Sequence, residues 1–176
     1  MRVKEKENKI FESLKKDFGW TNKMQAPRLV KVVVNTGTGT IKDKKKLELI
    51  PDRLAKITGQ KPSARPSKQS IATFKSRQGD IIGQQVTLRG ARMYDFVDKL
   101  INIALPRTKD FRGLNASSID DMGNYSIGIK EHTIFPETVD EELKDVFGMS
   151  ITIVTTSKDK KVTRAFLEKL GFPLKK

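Results

Sequence analysis

The stretch Gln84-Gln-Val-Thr-Leu-Arg-Gly-Ala-Arg-Met-Tyr-Asp-Phe-Val97 decides the fold, because its hydrophobic period changes partway along. From Gln85 to Arg89 polar and apolar residues alternate, the two-residue repeat of a half-buried strand. A strand over residues 81–89 therefore carries core residues on one side and Gln85, Thr87 and Arg89 on the other. From Met93 onward the apolar residues recur at helical spacing: Met93, Phe96, Val97, Leu100, Ile101, Ala104 and Leu105. That stripe predicts a helix over 91–105, which Pro106 ends.

Toward the N-terminus, residues 61–80 are punctuated by Pro62, Ser63, Pro66, Ser67 and Ser70, which predicts a short strand and a long loop. Leu47, Ile50, Leu54 and Ile57 mark a helix over 43–58, with Gly59 as its C-cap and Pro51 expected to kink or divide it near Ile50. Arg28 to Asn35 holds Val32, Val33 and Val34, a run of high strand propensity that stops at the Thr36-Gly-Thr-Gly39 turn. Ile10, Phe11, Leu14 and Phe18 share one face of a helix over 4–18.

Toward the C-terminus, residues 107–124 read as a loop long enough to suggest a functional segment or one ordered by a partner. Strands follow at Tyr125–Glu131 and Met149–Thr156, a short acidic helix at Asp140–Phe147, and a last helix at Lys158–Leu170. The order predicts an α+β domain: a mainly antiparallel sheet, helices packed on one face, the other face open for RNA. No repeat or linker interrupts residues 1–176, so a single domain is expected.

Charge narrows the function. The 176 residues carry 35 Lys and Arg against 21 Asp and Glu, a net +14 that attracts polyanions. The surplus is lopsided: residues 1–80 hold 20 basic and 8 acidic residues, while 81–176 hold 15 and 13. A polyanion should therefore meet surface built mainly by the first half. The absence of cysteine excludes disulfides, thiolate catalysis and cysteine-based metal sites, and His132 is the only histidine. No apolar run reaches the ~18 residues of a membrane span. The N-terminus lacks the apolar core of a signal peptide, so a cytosolic protein without membrane contact is expected.

Gly37-Thr-Gly39 lies between a strand and a helix, but position 42 is Lys where a dinucleotide fingerprint needs its third glycine, and no phosphate loop is present. The plainer reading is a flexible turn whose backbone can approach a phosphate. Lys42, Lys44, Lys45 and Lys46 form a charge run that reads equally as a solvated helix start or as a phosphate contact. The segment Lys56 to Arg92 is more specific. It holds Lys56, Lys61, Arg65, Lys68, Lys75, Arg77, Arg89 and Arg92, with Asp80 as the only acid. Interspersed Gln60, Gln69, Gln78, Gln84, Gln85 and Thr87 supply groups that reach base edges and 2′-hydroxyls. Phe74 reads first as core, with stacking on RNA at a loop tip as the alternative. His132 has neither nucleophile nor orienting partner and reads as structural, which argues against an enzyme. The acidic stretch Glu137, Asp140, Glu141, Glu142, Asp145 has no calcium-loop spacing; a solvated face or a dock for a basic protein fits better, so no metal or cofactor is expected.

Several segments together resemble one family: Met24-Gln-Ala-Pro-Arg28, Val34-Asn-Thr-Gly37, Thr58-Gly-Gln-Lys-Pro62, Val86-Thr-Leu-Arg-Gly90, Pro106-Arg-Thr-Lys-Asp-Phe-Arg-Gly113, Gly123-Asn-Tyr-Ser126, Ile134-Phe-Pro-Glu137 and Phe172-Pro-Leu-Lys175. In this order they resemble the bacterial large-subunit ribosomal protein L-five family, the 5S rRNA-binding ribosomal proteins. Ser63 stands where that family has an apolar residue, and Arg65-Pro66-Ser67 also departs from its pattern.

The resemblance implies a structural ribosomal protein of the cytoplasm. It would bind 5S rRNA, attach it to 23S rRNA in the central protuberance and touch neighbouring large-subunit proteins. It would also contact P-site tRNA, and a small-subunit protein at an intersubunit bridge. Carried over by position, Asn35, Gln60 and Thr87 would contact 5S rRNA, with Lys61, Lys68 and Arg89 as cationic neighbours. The loop Phe74, Lys75, Ser76, Arg77, Gln78, Gly79 would face tRNA. The loop near Asp110 to Asn124 and the acidic stretch are bridge candidates.

Overall fold

The computed structural model describes residues 2–41, 43–109, 111–138 and 146–175. Four helices and five strands form within them: α1 Val3–Phe18, β1 Leu29–Gly37, α2 Lys44–Thr58, β2 Ser63–Pro66, β3 Ile81–Leu88, α3 Gly90–Lys99, β4 Tyr125–Ile129, β5 Met149–Thr155 and α4 Lys160–Leu170. The strands make one antiparallel sheet in the order β2-β3-β1-β5-β4, so the α+β class holds. Burial alternates along the strands. Val32, Val34, Val86, Leu88, Ile127, Ile151 and Ile153 are buried, and most of the residues between them reach solvent.

The chain divides into two compact units. The first comprises Met1–Val32, Arg89–Ile127 and Thr152–Lys176. Here α1 packs on α3 and α4, burying Ile10, Leu14, Phe96, Val97, Phe166 and Leu170. Each such side chain contributes roughly 1.5–3 kcal/mol on leaving water. The Lys6 ammonium donates to the Leu170 carbonyl at 2.9 Å, where α4 ends. It neutralises the negative end of that helix. Replacing Lys6 by Met should cost about 1 kcal/mol in denaturant unfolding.

The second unit comprises Val33–Leu88 and Gly128–Ile151. Its helix α2 packs on β3 and buries Ile50, Leu54 and Ile57. Of the two outcomes expected at Pro51, a kink or a division, the division does not occur: α2 runs unbroken through the proline. Apolar residues are buried on both sides of the proline, and that packing outweighs one lost helical hydrogen bond.

Other boundaries shift too, among them β1, which runs on through Thr36 and Gly37 of the expected turn. After α3 the Leu105 amide donates to the Leu100 carbonyl at 2.9 Å, five residues back, so the expected helix ends in a wide π turn over Leu100–Ala104. The strand expected to reach Glu131 stops at Ile129, before a 3-10 turn at His132–Ile134. The last helix starts at Lys160, capped by the Asp159 carboxylate, which accepts from the Lys161 amide at 2.9 Å. Of the acidic helix expected over Asp140–Phe147, residues 140–145 lie outside the described residues, as do Lys42 and Asp110.

The long loop after α3 is held by the protein's own groups. The Leu114 amide donates to the Pro173 carbonyl at 2.8 Å, and the Lys175 amide to the Leu114 carbonyl at 2.8 Å. The Tyr125 hydroxyl donates to the Asn115 carbonyl at 3.2 Å, and burial pushes that phenol up to about 12. Burial works to raise the Asp120 carboxyl. Bonds from the Asn124 side chain and backbone and the Met122 amide outweigh it, and the carboxyl titrates below its usual range.

Candidate nucleic-acid interface

The second unit carries most of the residues expected to meet RNA. Its strands turn Val34, Val86 and Leu88 inward, which leaves Asn35, Gln85 and Thr87 at the alternate, outward positions. Asn35 is exposed; Gln85 and Thr87 are half-buried. Strand β2, exposed along its whole length, pairs antiparallel with β3, Ser63 opposite Gln85 and Arg65 opposite Gly83. Paired residues share a face, so Ser63 and Arg65 join the same outward surface.

Gly83 gives that surface its shape. A Cβ there would stand 3.9 Å from the Arg65 Cβ, 4.0 Å from Asn35 Oδ1 and 3.1 Å from the Thr36 carbonyl oxygen. The missing side chain leaves the middle strand open between the Arg65 Cβ on one side and the Asn35 amide on the other. Sequence reasoning counted Arg65 among the basic residues of the Lys56 to Arg92 segment but overlooked Ser63 and Gly83 as site residues. The available signal was a lone glycine inside an alternating strand, which marks a close backbone approach.

Gln60 joins by another route. Helix α2 ends at Gly59, and the Thr58 hydroxyl donates to the Leu54 carbonyl at 2.6 Å. Gln60 Nε2 then donates to the Thr87 carbonyl at 3.3 Å. Since the β2–β3 pairing begins at Ser63 and Gln85, the amide takes the place of a missing strand partner. Gln60 and Thr87 thus meet directly. Lys61, Lys68 and Arg89 are exposed. Among the described residues, no outward position of β1, β2 or β3 is acidic. In the charge run, Lys46 donates to the Val146 carbonyl at 2.9 Å, while Lys45 is exposed.

The β2–β3 connection is an ordered hairpin tip. Ile71 and Ser76 exchange backbone hydrogen bonds of 3.0 and 3.3 Å, and the Ser67 amide donates to the Asp80 carbonyl at 2.8 Å. The Gln78 amide donates to Ser70 Oγ at 2.9 Å, and the Arg77 amide to the Asp80 carboxylate at 2.8 Å. With the backbone satisfied locally, the side chains project outward. Phe74, Lys75, Arg77, Gln78 and Gly79 are exposed and Ser76 is half-buried.

Phe74 is 75% exposed, which overturns its first reading as core. It sits in a 3-10 turn closed by Lys75 in the left-handed conformation (φ 51°), and no described apolar partner encloses it. Phe74→Ala should therefore change unfolding free energy by no more than about 0.5 kcal/mol.

The remaining motifs are structural in geometry. His132 is fully buried, its Nδ1 accepts from the Phe147 amide at 3.3 Å, and the two rings stack at 4.0 Å. The glycine turn closes on β3: the Thr38 amide donates to the Ile82 carbonyl at 2.9 Å, and Gly39 lies against the Ile82 side chain.

An α+β fold with an acid-free, amide- and hydroxyl-bearing sheet surface and exposed cations defines a protein that fits a polyanion. Comparison with known proteins gives the family. Residues 22–77 match the model of ribosomal protein L5, and residues 81–174 match the model of that ribosomal family's C-terminus. Large ribosomal subunit protein uL5 of Thermoanaerobacter sp. (strain X514) is 49% identical over 177 residues, covering 99% of each chain. The same-named protein of Flavobacterium johnsoniae is 46% identical over 177 residues, covering 99% of this chain and 97% of its own. That of Ureaplasma urealyticum serovar 10 is 48% identical over 170 residues, covering 96% and 92%. The chain belongs to the ribosomal protein L5 (uL5) family, and so to the structural proteins of the ribosome rather than to the enzymes.

Proposed function

We propose that this protein binds 5S rRNA through the outward sheet surface of its second unit and helps attach it to 23S rRNA in the central protuberance. Family membership makes it a structural constituent of the large ribosomal subunit, at work in cytoplasmic ribosomes with rRNA and ribosomal proteins as neighbours. On this reading residues 1–176 act as one RNA-binding domain. Asn35, Gln60 and Thr87 read RNA groups, while Lys61, Lys68 and Arg89 hold phosphates. The tip Phe74 to Gly79 faces P-site tRNA. The loop near Asp110 to Asn124 and the acidic stretch meet a small-subunit protein at an intersubunit bridge.

The observation that carries the 5S rRNA reading is the acid-free face of β1, β2 and β3, on which Asn35 and Arg65 flank Gly83 and Gln85 and Thr87 follow it along β3. Such a face can accept phosphates without like-charge repulsion and still read RNA by hydrogen bonds. Filter binding to 5S rRNA across a salt series tests it. With about six phosphates neutralised, log K should fall against log salt with a slope of roughly −4 to −5. Affinity indifferent to salt would contradict the reading.

A further inference from the structure

A second feature lies in the first unit, on elements the sheet surface does not use. Helix α1, the turn before β1 and helix α3 enclose a cleft of about 220 Å³. Glu7, Asn8, Phe11, Lys23, Arg28 and Tyr94 line it.

Its polar groups are held in place by the protein itself. Glu7 Oε1 accepts from the Leu29 amide at 2.9 Å. Burial raises the Tyr94 phenol, and the Glu7 carboxylate to which its hydroxyl donates raises it further, so Tyr94 stays a neutral hydroxyl. The turn carrying Lys23 is closed by a capping box. The Met24 amide donates to Asn22 Oδ1 at 2.9 Å, and the Thr21 and Asn22 amides donate to Gln25 Oε1 at 3.0 and 3.2 Å. This turn also displays Met24, 71% exposed, with its sulfur 3.3 Å from Arg28 Nη2.

Packing explains neither the exposed methionine nor the two cations at the rim. Together the features match one kind of ligand. A base needs an apolar wall, which the half-buried Phe11 ring lining the cleft offers, with the Lys15 ammonium 5.5 Å from its centroid as a further cation, and mixed donors and acceptors at its edge, which Asn8, Glu7 and Tyr94 offer. The adjoining phosphate needs cations, which Lys23 and Arg28 offer. An acidic peptide would meet the same two cations but would set its own carboxylates against Glu7.

We propose that this cleft is a second RNA site, taking one unpaired nucleotide with its base against Phe11 and its phosphate on Lys23 and Arg28. The proposal rests on the reading of the chain as an RNA-binding ribosomal protein, but its test uses no 5S rRNA. The sheet surface can therefore fail while the cleft stands, and the reverse. The full-length protein is titrated with the single-stranded RNA tetranucleotide UAAU and followed by NMR. The Asn8 side-chain amide and the Lys23, Arg28 and Tyr94 resonances should move together. Affinity should fall about fivefold or more in a Lys23→Gln/Arg28→Gln double variant. Both side chains lie at the rim, and thermal unfolding should confirm that the variant keeps its fold. A Gln60→Ala/Thr87→Ala variant should leave these shifts unchanged. The proposal is overturned if the Asn8 amide stays still at millimolar RNA. It is equally overturned if the shifts vanish in the Gln60/Thr87 variant, or if a hexaglutamate peptide moves the same resonances as strongly.

Discussion

A chain carrying Asn35→Ala and Thr87→Ala should lose roughly ten- to a hundredfold of its preference for 5S rRNA over an unrelated folded RNA. Both side chains stand at outward strand positions, Asn35 exposed and Thr87 half-buried, so neither supports the core. Alanine keeps the Cβ and removes the amide of Asn35 and the hydroxyl of Thr87 together with its methyl group. RNA groups that had bonded to them would then be desolvated without a partner, the costly half of any hydrogen bond. Thermal unfolding should show the fold intact.

The cations should behave differently. Lys61→Gln with Lys68→Gln should weaken both RNAs alike and flatten the salt slope by about two. Binding measured at one salt concentration to both RNAs separates the effects. Equal losses for both RNAs in the Asn35/Thr87 variant would show that these groups only position the backbone.

Gly123→Ala should lower the unfolding midpoint by about 10 °C. Gly123 sits at φ +73°, in the left-handed region that costs an L-residue roughly 1–2 kcal/mol. A Cβ there would also come 2.3 Å from the Ser157 carbonyl oxygen and 2.8 Å from Thr163 Oγ1. Neither neighbour can retreat cheaply. The Thr155 hydroxyl donates to the Gly123 carbonyl at 2.7 Å, and Thr163 Oγ1 lies 3.4 Å from the same oxygen. Crowding adds roughly 1–3 kcal/mol. A total near 3–4 kcal/mol corresponds to about 10 °C for a chain of this size. Gly128→Ala is the control: nothing lies within 4 Å of its Cβ position, and the midpoint should barely move. A Gly123→Ala protein as stable as the parent would mean that the loop relaxes away from Ser157.

Much of this was legible from residue pattern alone. The change of period between Gln85 and Met93 located β3 and α3, and every residue of the stripe from Met93 to Leu105 is buried. Lopsided charge pointed to the half of the sequence that carries the proposed site residues Asn35, Gln60, Lys61 and Lys68. The bond from Gln60 to the Thr87 carbonyl was not legible, because it joins residues 27 apart through a register that β2 sets. Phe74 was misjudged because hydrophobicity states what a side chain prefers, not whether a partner stands within reach. At a hairpin tip closed by its own backbone bonds, none of the described residues does. At Pro51 the division that local rules allow does not occur, since packing on either side of it holds the helix together.

The sequence by itself determined the apolar stripes of the helices and strands, where those elements alternate, and the sign of the partner's charge. Those properties are local, carried by periodicity and composition. Only the tertiary structure decided that Arg65 and Asn35 flank Gly83, that Gln60 caps the end of a strand ladder, and that a hydrogen-bonded turn places Lys23 at a cleft. Such neighbours are set by strand register and helix packing, which bring together residues that no local pattern links.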